Sequence, residues 1–70
     1  MRAKVLHPVP GLRAGAIVNL GDANIYLDDR IVGTILDVTA VDDALEVTVD
    51  FHGIALDLPV AIRVGRPDGT

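Results

Sequence analysis

Hydrophobic and polar residues alternate along most of the chain with a period of two. The clearest case is segment 45–51, where four apolar residues alternate with three polar ones: Leu45, Val47, Val49 and Phe51 with Glu46, Thr48 and Asp50. Successive side chains of a β-strand point to opposite faces of the sheet, so this period predicts a strand with one buried face. No segment has the apolar spacing of a helix, so the pattern predicts an all-β domain.

Similar runs predict the other strands. They lie at residues 2–9, 16–20, 23–27, 30–39 and 54–64, and Gly and Asp residues between them indicate turns. Five or six short strands joined in this way predict a small SH3-like or related β-barrel of five to six short antiparallel strands. We expect residues 1–70 to form a single domain, with residues 65–70 as a frayed tail.

Particular residues predict where these strands bend or end. In the first strand Ala3, Val5, His7 and Val9 share one face, which predicts a partly buried His7. Asp28-Asp29 predicts a tight hairpin, because Asp tolerates turn conformations. Gly33 lies inside a predicted strand and indicates a bulge or bend there. Pro59 cannot donate to a ladder, so segment 54–64 forms either one edge strand or two short strands around a corner.

The register between segments 30–39 and 45–51 follows from their apolar faces, which must point the same way. We expect Val38 to pair with Val47 and Leu36 with Val49, which leaves residues 41–44 as a four-residue loop. The other register makes Val41-Asp42 a two-residue turn. That turn needs a positive φ at Val41, which a β-branched residue resists.

The composition limits how the domain can be stabilised. Half of the residues (50%) are hydrophobic but only 3% are aromatic, and there is no cysteine. A core of Val, Ile, Leu and Ala in 70 residues is only marginally sufficient, so self-association stays open beside a monomer. No apolar run is long enough to span a membrane and no signal-peptide pattern occurs. We therefore expect a cytoplasmic protein without a membrane partner.

Charges are separated along the chain, whose net charge is −4. Acidic residues concentrate in the middle and basic residues at the ends. This separation indicates a candidate interaction surface made of Asp28, Asp29, Asp42, Asp43, Glu46, Asp50, Arg2, Lys4 and Arg13. The alternative is that the acids only keep the protein soluble. An acidic body repels phosphate, so we expect no nucleic-acid partner.

Residues that carry chemistry are few. The pairs Asp28-Asp29 and Asp42-Asp43 lack the spacing of a calcium loop and indicate turns, so we expect no metal and no cofactor. His52 follows Asp50 by two residues, but the chain has no serine or cysteine nucleophile. The remaining hydroxyl candidates, Thr34, Thr39, Thr48 and Thr70, have no base in evident register. The sequence therefore predicts that the protein is not an enzyme.

The segment LDDRIVGTILDV resembles the opening of PRC-barrel domains. There, a turn with Asp and Gly leads into a strand with an approximate G-x-[VI]-x-D-V pattern. Gly33, Ile35, Asp37 and Val38 match it, whereas Asp29 replaces the usual turn glycine. The resemblance covers about a dozen of the 70 residues. It implies a small barrel with an adaptor or assembly role.

Two functional classes follow from these observations. The first is a small non-enzymatic protein–protein interaction module, an adaptor or accessory protein, that binds by a sheet edge or an acidic face. The alternative is a self-assembling structural subunit, a homo-oligomer encoded by a phage. Arg outnumbers Lys five to one, which is typical of GC-rich genomes such as those of actinobacteria and their phages. An enzyme or small-molecule binder is the class that the sequence favours least.

Overall fold

The protein is an all-β structure, as the alternating pattern predicts. The computed structural model describes residues 1–52 and 59–65, and within them it has six antiparallel strands and no helix. The strands are β1 (Arg2–Val5), β2 (Ile17–Gly21), β3 (Asn24–Leu27), β4 (Arg30–Val41), β5 (Ala44–Phe51) and β6 (Val60–Gly65). Each strand pairs with the next one in the chain, and β6 also pairs with β1, so the sheet is ring-like.

The apolar faces of the strands fill the inside of this ring. Ten residues form the buried cluster: Ala3, Val5, Leu12, Val18, Ile25, Val47, Val49, Phe51, Ile62 and Val64. No polar or charged side chain is buried among the described residues. The predicted inward face of β5 is confirmed, because Val47, Val49 and Phe51 are buried and Leu45 packs against them.

The first strand is shorter than predicted and ends at Val5. His7 lies beyond it and is exposed, so the prediction of a partly buried His7 is wrong. Pro8 explains the early end, since it cannot donate to a ladder. Val9 instead forms an isolated bridge with Leu12, whose side chain joins the core.

Three of the connections are two-residue turns with left-handed backbone. The turns are Asp22-Ala23, Asp28-Asp29 and Asp42-Asp43, and φ is positive at Asp22, Ala23, Asp28, Asp29 and Asp42. The predicted Asp28-Asp29 hairpin is confirmed. The predicted four-residue loop is wrong, because Val41 pairs with Ala44. The positive φ of 51° falls on Asp42, so the β-branched Val41 carries no strain.

β4 departs from regular pairing on both of its sides. Val38 pairs with Val47 as predicted, but Val49 pairs with Ile35 instead of Leu36. Leu36 is thus the extra residue of a β-bulge, and its side chain is 55% exposed. A second register shift, toward β3, leaves Val32 without a partner there. The sequence predicts an irregularity at Gly33. Gly33 itself pairs with Ile25 and Phe51, and the two shifts lie on either side of it, at Val32 and Leu36.

β6 begins directly after Pro59, in agreement with the interruption predicted there. Most of the predicted strand that precedes it, residues 54–58, lies outside the described residues. Gly65 belongs to β6 and is not frayed, whereas residues 66–70 of the predicted tail are also outside the described part. None of the described residues belongs to a helix with the length and hydropathy that crossing a membrane requires.

Candidate functional site

β4 is much longer than its neighbour β3. β3 pairs with residues 30–34 of β4, whereas β5 pairs with residues 33–41. The last main-chain contact on the β3 side is the hydrogen bond from Ile35 N to Ala23 O, at 2.8 Å. Beyond it, no described strand pairs with the β3-facing side of residues 37–41. We call this open side of residues 37–41 the β4 edge.

The pairing with β5 shows which main-chain groups lie on the β4 edge. Val41 and Ala44 flank a two-residue turn, so they are a hydrogen-bonded pair. In antiparallel strands such pairs alternate with non-hydrogen-bonded ones, which places the Thr39 main chain toward β5. The N–H and C=O groups of Val38 and Ala40 therefore point away from β5. The edge offers two donors and two acceptors to a further strand.

One face of the β4 edge is apolar. Directly paired residues of antiparallel strands point to the same side, so Val38 shares a face with the buried Val47, and Ala40 with Leu45. Val38 is nevertheless 46% exposed, because β3 ends before it can cover this part of β4. Leu36, the bulge residue just before this edge, is also exposed.

The other face of the β4 edge is polar and acidic. It carries Asp37 and Thr39, both exposed, and the Thr39 hydroxyl lies 3.5 Å from Asp37 Oδ2. Glu46 pairs with Thr39 across the β4–β5 ladder and is exposed on the same face. This face therefore bears two exposed carboxylates, directly beside open main-chain groups.

The tip of the β4–β5 hairpin adds to the negative charge. Asp42 and Asp43 form the turn, and Arg63 on β6 reaches Asp42, with Nη2 and Oδ2 4.0 Å apart. This pair is solvent-exposed, so it contributes less than about 1 kcal/mol. The hairpin thus carries Asp42 and Asp43 at its tip, in addition to Asp37 and Glu46 on its polar face.

The residues predicted as one interaction surface are divided by the structure into separate regions. Asp42, Asp43 and Glu46 lie beside the β4 edge, but Asp28 and Asp29 lie at the opposite end of β4. Asp50 is nearer to that opposite end, since it pairs with Thr34. The remaining residues lie away from the edge: Arg2 and Lys4 on β1, which is diametrically opposite β4 in the ring, and Arg13 in the loop before β2.

Sequence reasoning missed Asp37, Val38 and Ala40 as site residues. Their importance depends on β3 ending early, and the lengths of neighbouring strands cannot be read from local alternation. The sequence contained one indication of this difference: the strand predicted at 30–39 is longer than the strand predicted at 23–27.

One side-chain pair was also missed. Thr34 Oγ1 and His52 Nε2 are 2.8 Å apart, and His52 N donates to Val32 O at 2.9 Å. The sequence reasoning found no base in register with any threonine, which is wrong for Thr34. The shifted register of β4 against β5 brings the two together. Among the hydrogen bonds of the described residues, none joins a carboxylate to the His52 ring.

A shallow surface depression of about 340 Å³ lies between the β1–β2 loop and the Asp28 turn. Arg13, Ile17, Leu27 and Asp28 are among the residues that line it. Within residues 1–52 and 59–65, no three His, Cys, Asp or Glu side chains are grouped closely enough to hold a metal ion.

Comparison with known proteins identifies no relative. Neither the protein-family models, nor the curated proteins, nor the solved structures contain a match to this chain. The resemblance of the Gly33–Val38 segment to PRC-barrel domains thus finds no support at the level of the family.

Proposed function

We propose that the protein is a non-enzymatic protein–protein interaction module, and that it binds an extended segment of its partner along the β4 edge. The observation that carries this proposal is the absence of a described strand beside residues 37–41, where Val38 is exposed. A strand edge with free N–H and C=O groups is a template for strand addition. The ring-like sheet is, in this proposal, a small barrel of the SH3-like or a related type, because its interior is filled by apolar side chains from all six strands.

A bound segment would continue the sheet past β4. Its main chain would exchange hydrogen bonds with Val38 and Ala40, and every second side chain would cover the exposed Val38. Main-chain bonds of this kind supply affinity, while the alternate side chains supply specificity. The partner strand would occupy the place that a longer β3 would fill.

Self-assembly through the same edge is less favourable. Two copies joined by their β4 edges would bring the carboxylates of both hairpins together: Asp37, Asp42, Asp43 and Glu46 of each. Like charges placed opposite each other across a strand pair are destabilising. The basic strand β1 cannot serve as the added strand, because it is already paired with β2 and β6. These observations favour a different protein as the partner.

The decisive variant is Ala40→Pro. Proline at this position removes an N–H that points away from β5, and edge strands tolerate such prolines. Its matched control is Thr39→Pro, one residue away, which removes an N–H of the β4–β5 ladder and should destabilise the fold, because proline cannot donate a ladder hydrogen bond. The probe is a displayed library of random seven-residue peptides, selected on the wild-type protein.

We expect selected peptides to bind the wild-type protein and to lose binding to Ala40→Pro, while circular dichroism shows that this variant keeps its strands. We also expect the amide resonances of Val38 and Ala40 to shift in the complex. Peptides that bind Ala40→Pro as well as the wild type, or that shift resonances around the Arg13 depression instead, contradict the proposal. A selection without binders contradicts it as well.

A further inference from the structure

We infer that the partner segment is an amphipathic β-strand in which basic residues alternate with apolar ones. This inference rests on the proposed function and adds the chemistry of the partner. It follows from the two faces of the β4 edge: one face is apolar and the other is polar and acidic.

The alternation of a strand fixes which side chains of the partner meet which face. Side chains on the Val38 and Ala40 side would lie over apolar surface, beside Leu45 and the buried Val47. Side chains on the other side would lie beside Asp37 and Thr39, with Glu46 one strand further. A strand that satisfies both faces carries Val, Ile or Leu at every second position and Lys or Arg between them.

Charge complementarity selects basic residues over neutral or acidic ones. Arg63 is the one cation at this hairpin among the described residues. It pairs with Glu46 across the β5–β6 ladder and is 4.0 Å from Asp42, so it lies on the far side of β5 from Asp37. An added strand with Lys or Arg opposite Asp37 would gain attraction, and one with Glu would be repelled. The same argument disfavours a second copy of this chain, because residues 37–41 of its own β4 contain a further carboxylate and no basic residue.

The test uses three synthetic peptides of seven residues, in which Val alternates with Lys, with Gln or with Glu. Binding is measured by fluorescence anisotropy at low salt. We expect the Val–Lys peptide to bind about tenfold more tightly than the Val–Gln peptide, as a few exposed ion pairs would produce. The Val–Glu peptide should bind most weakly, and added salt should reduce the advantage of Val–Lys.

Two double variants with the same change in net charge test which carboxylates cause the preference for the Val–Lys peptide. Asp37→Asn with Glu46→Gln removes two carboxylates at the edge and should reduce the Lys-over-Gln preference to about twofold or less. Asp28→Asn with Asp29→Asn removes the same charge at the far end of β4 and should leave the preference nearly unchanged. Equal loss in both double variants would mean that only net charge matters, which overturns the inference.

The outcomes separate this inference from the proposed function. If Val–Lys and Val–Gln bind equally well and both lose binding to Ala40→Pro, the basic character of the partner is wrong while strand addition stands. If Val–Lys binding survives Ala40→Pro, the peptide is held by charge alone and both proposals fail. If no peptide binds, the proposed function fails.

Discussion

At two positions, Gly33 and Ala23, the local structure restricts which amino acid fits: close packing at Gly33 and a positive φ at Ala23. Gly33 lies on β4 where β4 crosses β5 closely, and a Cβ built on it would be 2.5 Å from Val49 Cγ1. Ala23 has a left-handed φ of 62° in the β2–β3 turn, a conformation that is energetically unfavourable for alanine. Glycine at position 33 fits its tightly packed site, whereas position 23 carries alanine in a conformation that favours glycine.

Replacing Gly33 with alanine should destabilise the protein by about 1–3 kcal/mol, because the added methyl group has no space. Asp50 O, at 3.2 Å from the same built Cβ, is main chain and cannot easily move away. The measurement is urea denaturation. Gly21→Ala is the control, since its nearest neighbours are 3.9 Å or more away and its stability should change little. Equal effects of the two variants would show that Gly33 is not tightly packed.

Replacing Ala23 with glycine should stabilise the protein by about 1 kcal/mol, since glycine adopts positive φ without steric cost. The carbonyl of Ala23 accepts the hydrogen bond from Ile35 N, which holds this backbone in place. Ala61→Gly, at an exposed position within β6, should instead destabilise by about 0.5–1 kcal/mol. Thermal unfolding of both variants should give midpoints that move in opposite directions. Destabilisation by Ala23→Gly would contradict the left-handed turn.

At the scale of elements, the buried face and pairing of β5 could be predicted from the sequence, whereas for β4 the strand could be predicted but its two register shifts could not. β5 alternates without interruption, so its buried face and its pairing of Val47 with Val38 follow directly from the pattern. In β4, one extra residue at Leu36 changes which positions face the core on each side of it, and local alternation does not reveal where such a residue lies. Because of the same register shift, the contact between Thr34 and His52 could not be predicted from the sequence.

The contrast between these strands predicts the effect of truncating their large side chains. Phe51→Ala should cost about 3–5 kcal/mol, because Phe51 is only 7% exposed and is the one aromatic ring in the buried cluster. Leu36→Ala, at the exposed bulge, should cost less than about 0.5 kcal/mol. Denaturant unfolding of the two variants gives both values. A cost well below 1 kcal/mol for Phe51→Ala would place that ring outside the core and would contradict the assigned faces of β5.

At the scale of the whole molecule, charge is arranged across the ring. The bases Arg2 and Lys4 are on β1. In the acidic hairpin, β5 is two strands from β1 and β4 is three strands from it. The sequence revealed this separation as acidic middle and basic ends. It could not reveal that the acidic side is also the side with an open strand edge, because this depends on how far β3 extends along β4.

The charge at this edge should keep the protein monomeric. In the variant Asp37→Asn, Asp42→Asn, Asp43→Asn and Glu46→Gln, repulsion between two β4 edges is removed, so we expect dimers to form. Light scattering on a sizing column measures the mass of both proteins. Adding Ala40→Pro to the neutralised variant should restore the monomer. A wild-type oligomer that persists in Ala40→Pro would show that copies associate through another surface.

The most direct test of whether the β4 edge is open is amide hydrogen exchange, monitored by NMR on the isolated protein at low concentration. The N–H groups of Val38 and Ala40 should exchange almost without protection, while that of Thr39, between them and directed toward β5, should exchange slowly. Saturation with the Val–Lys peptide should then slow exchange at Val38 and Ala40. Strong protection of these two amides without any peptide would mean that another part of the chain, or a second copy, already covers the edge, and would contradict the central claim.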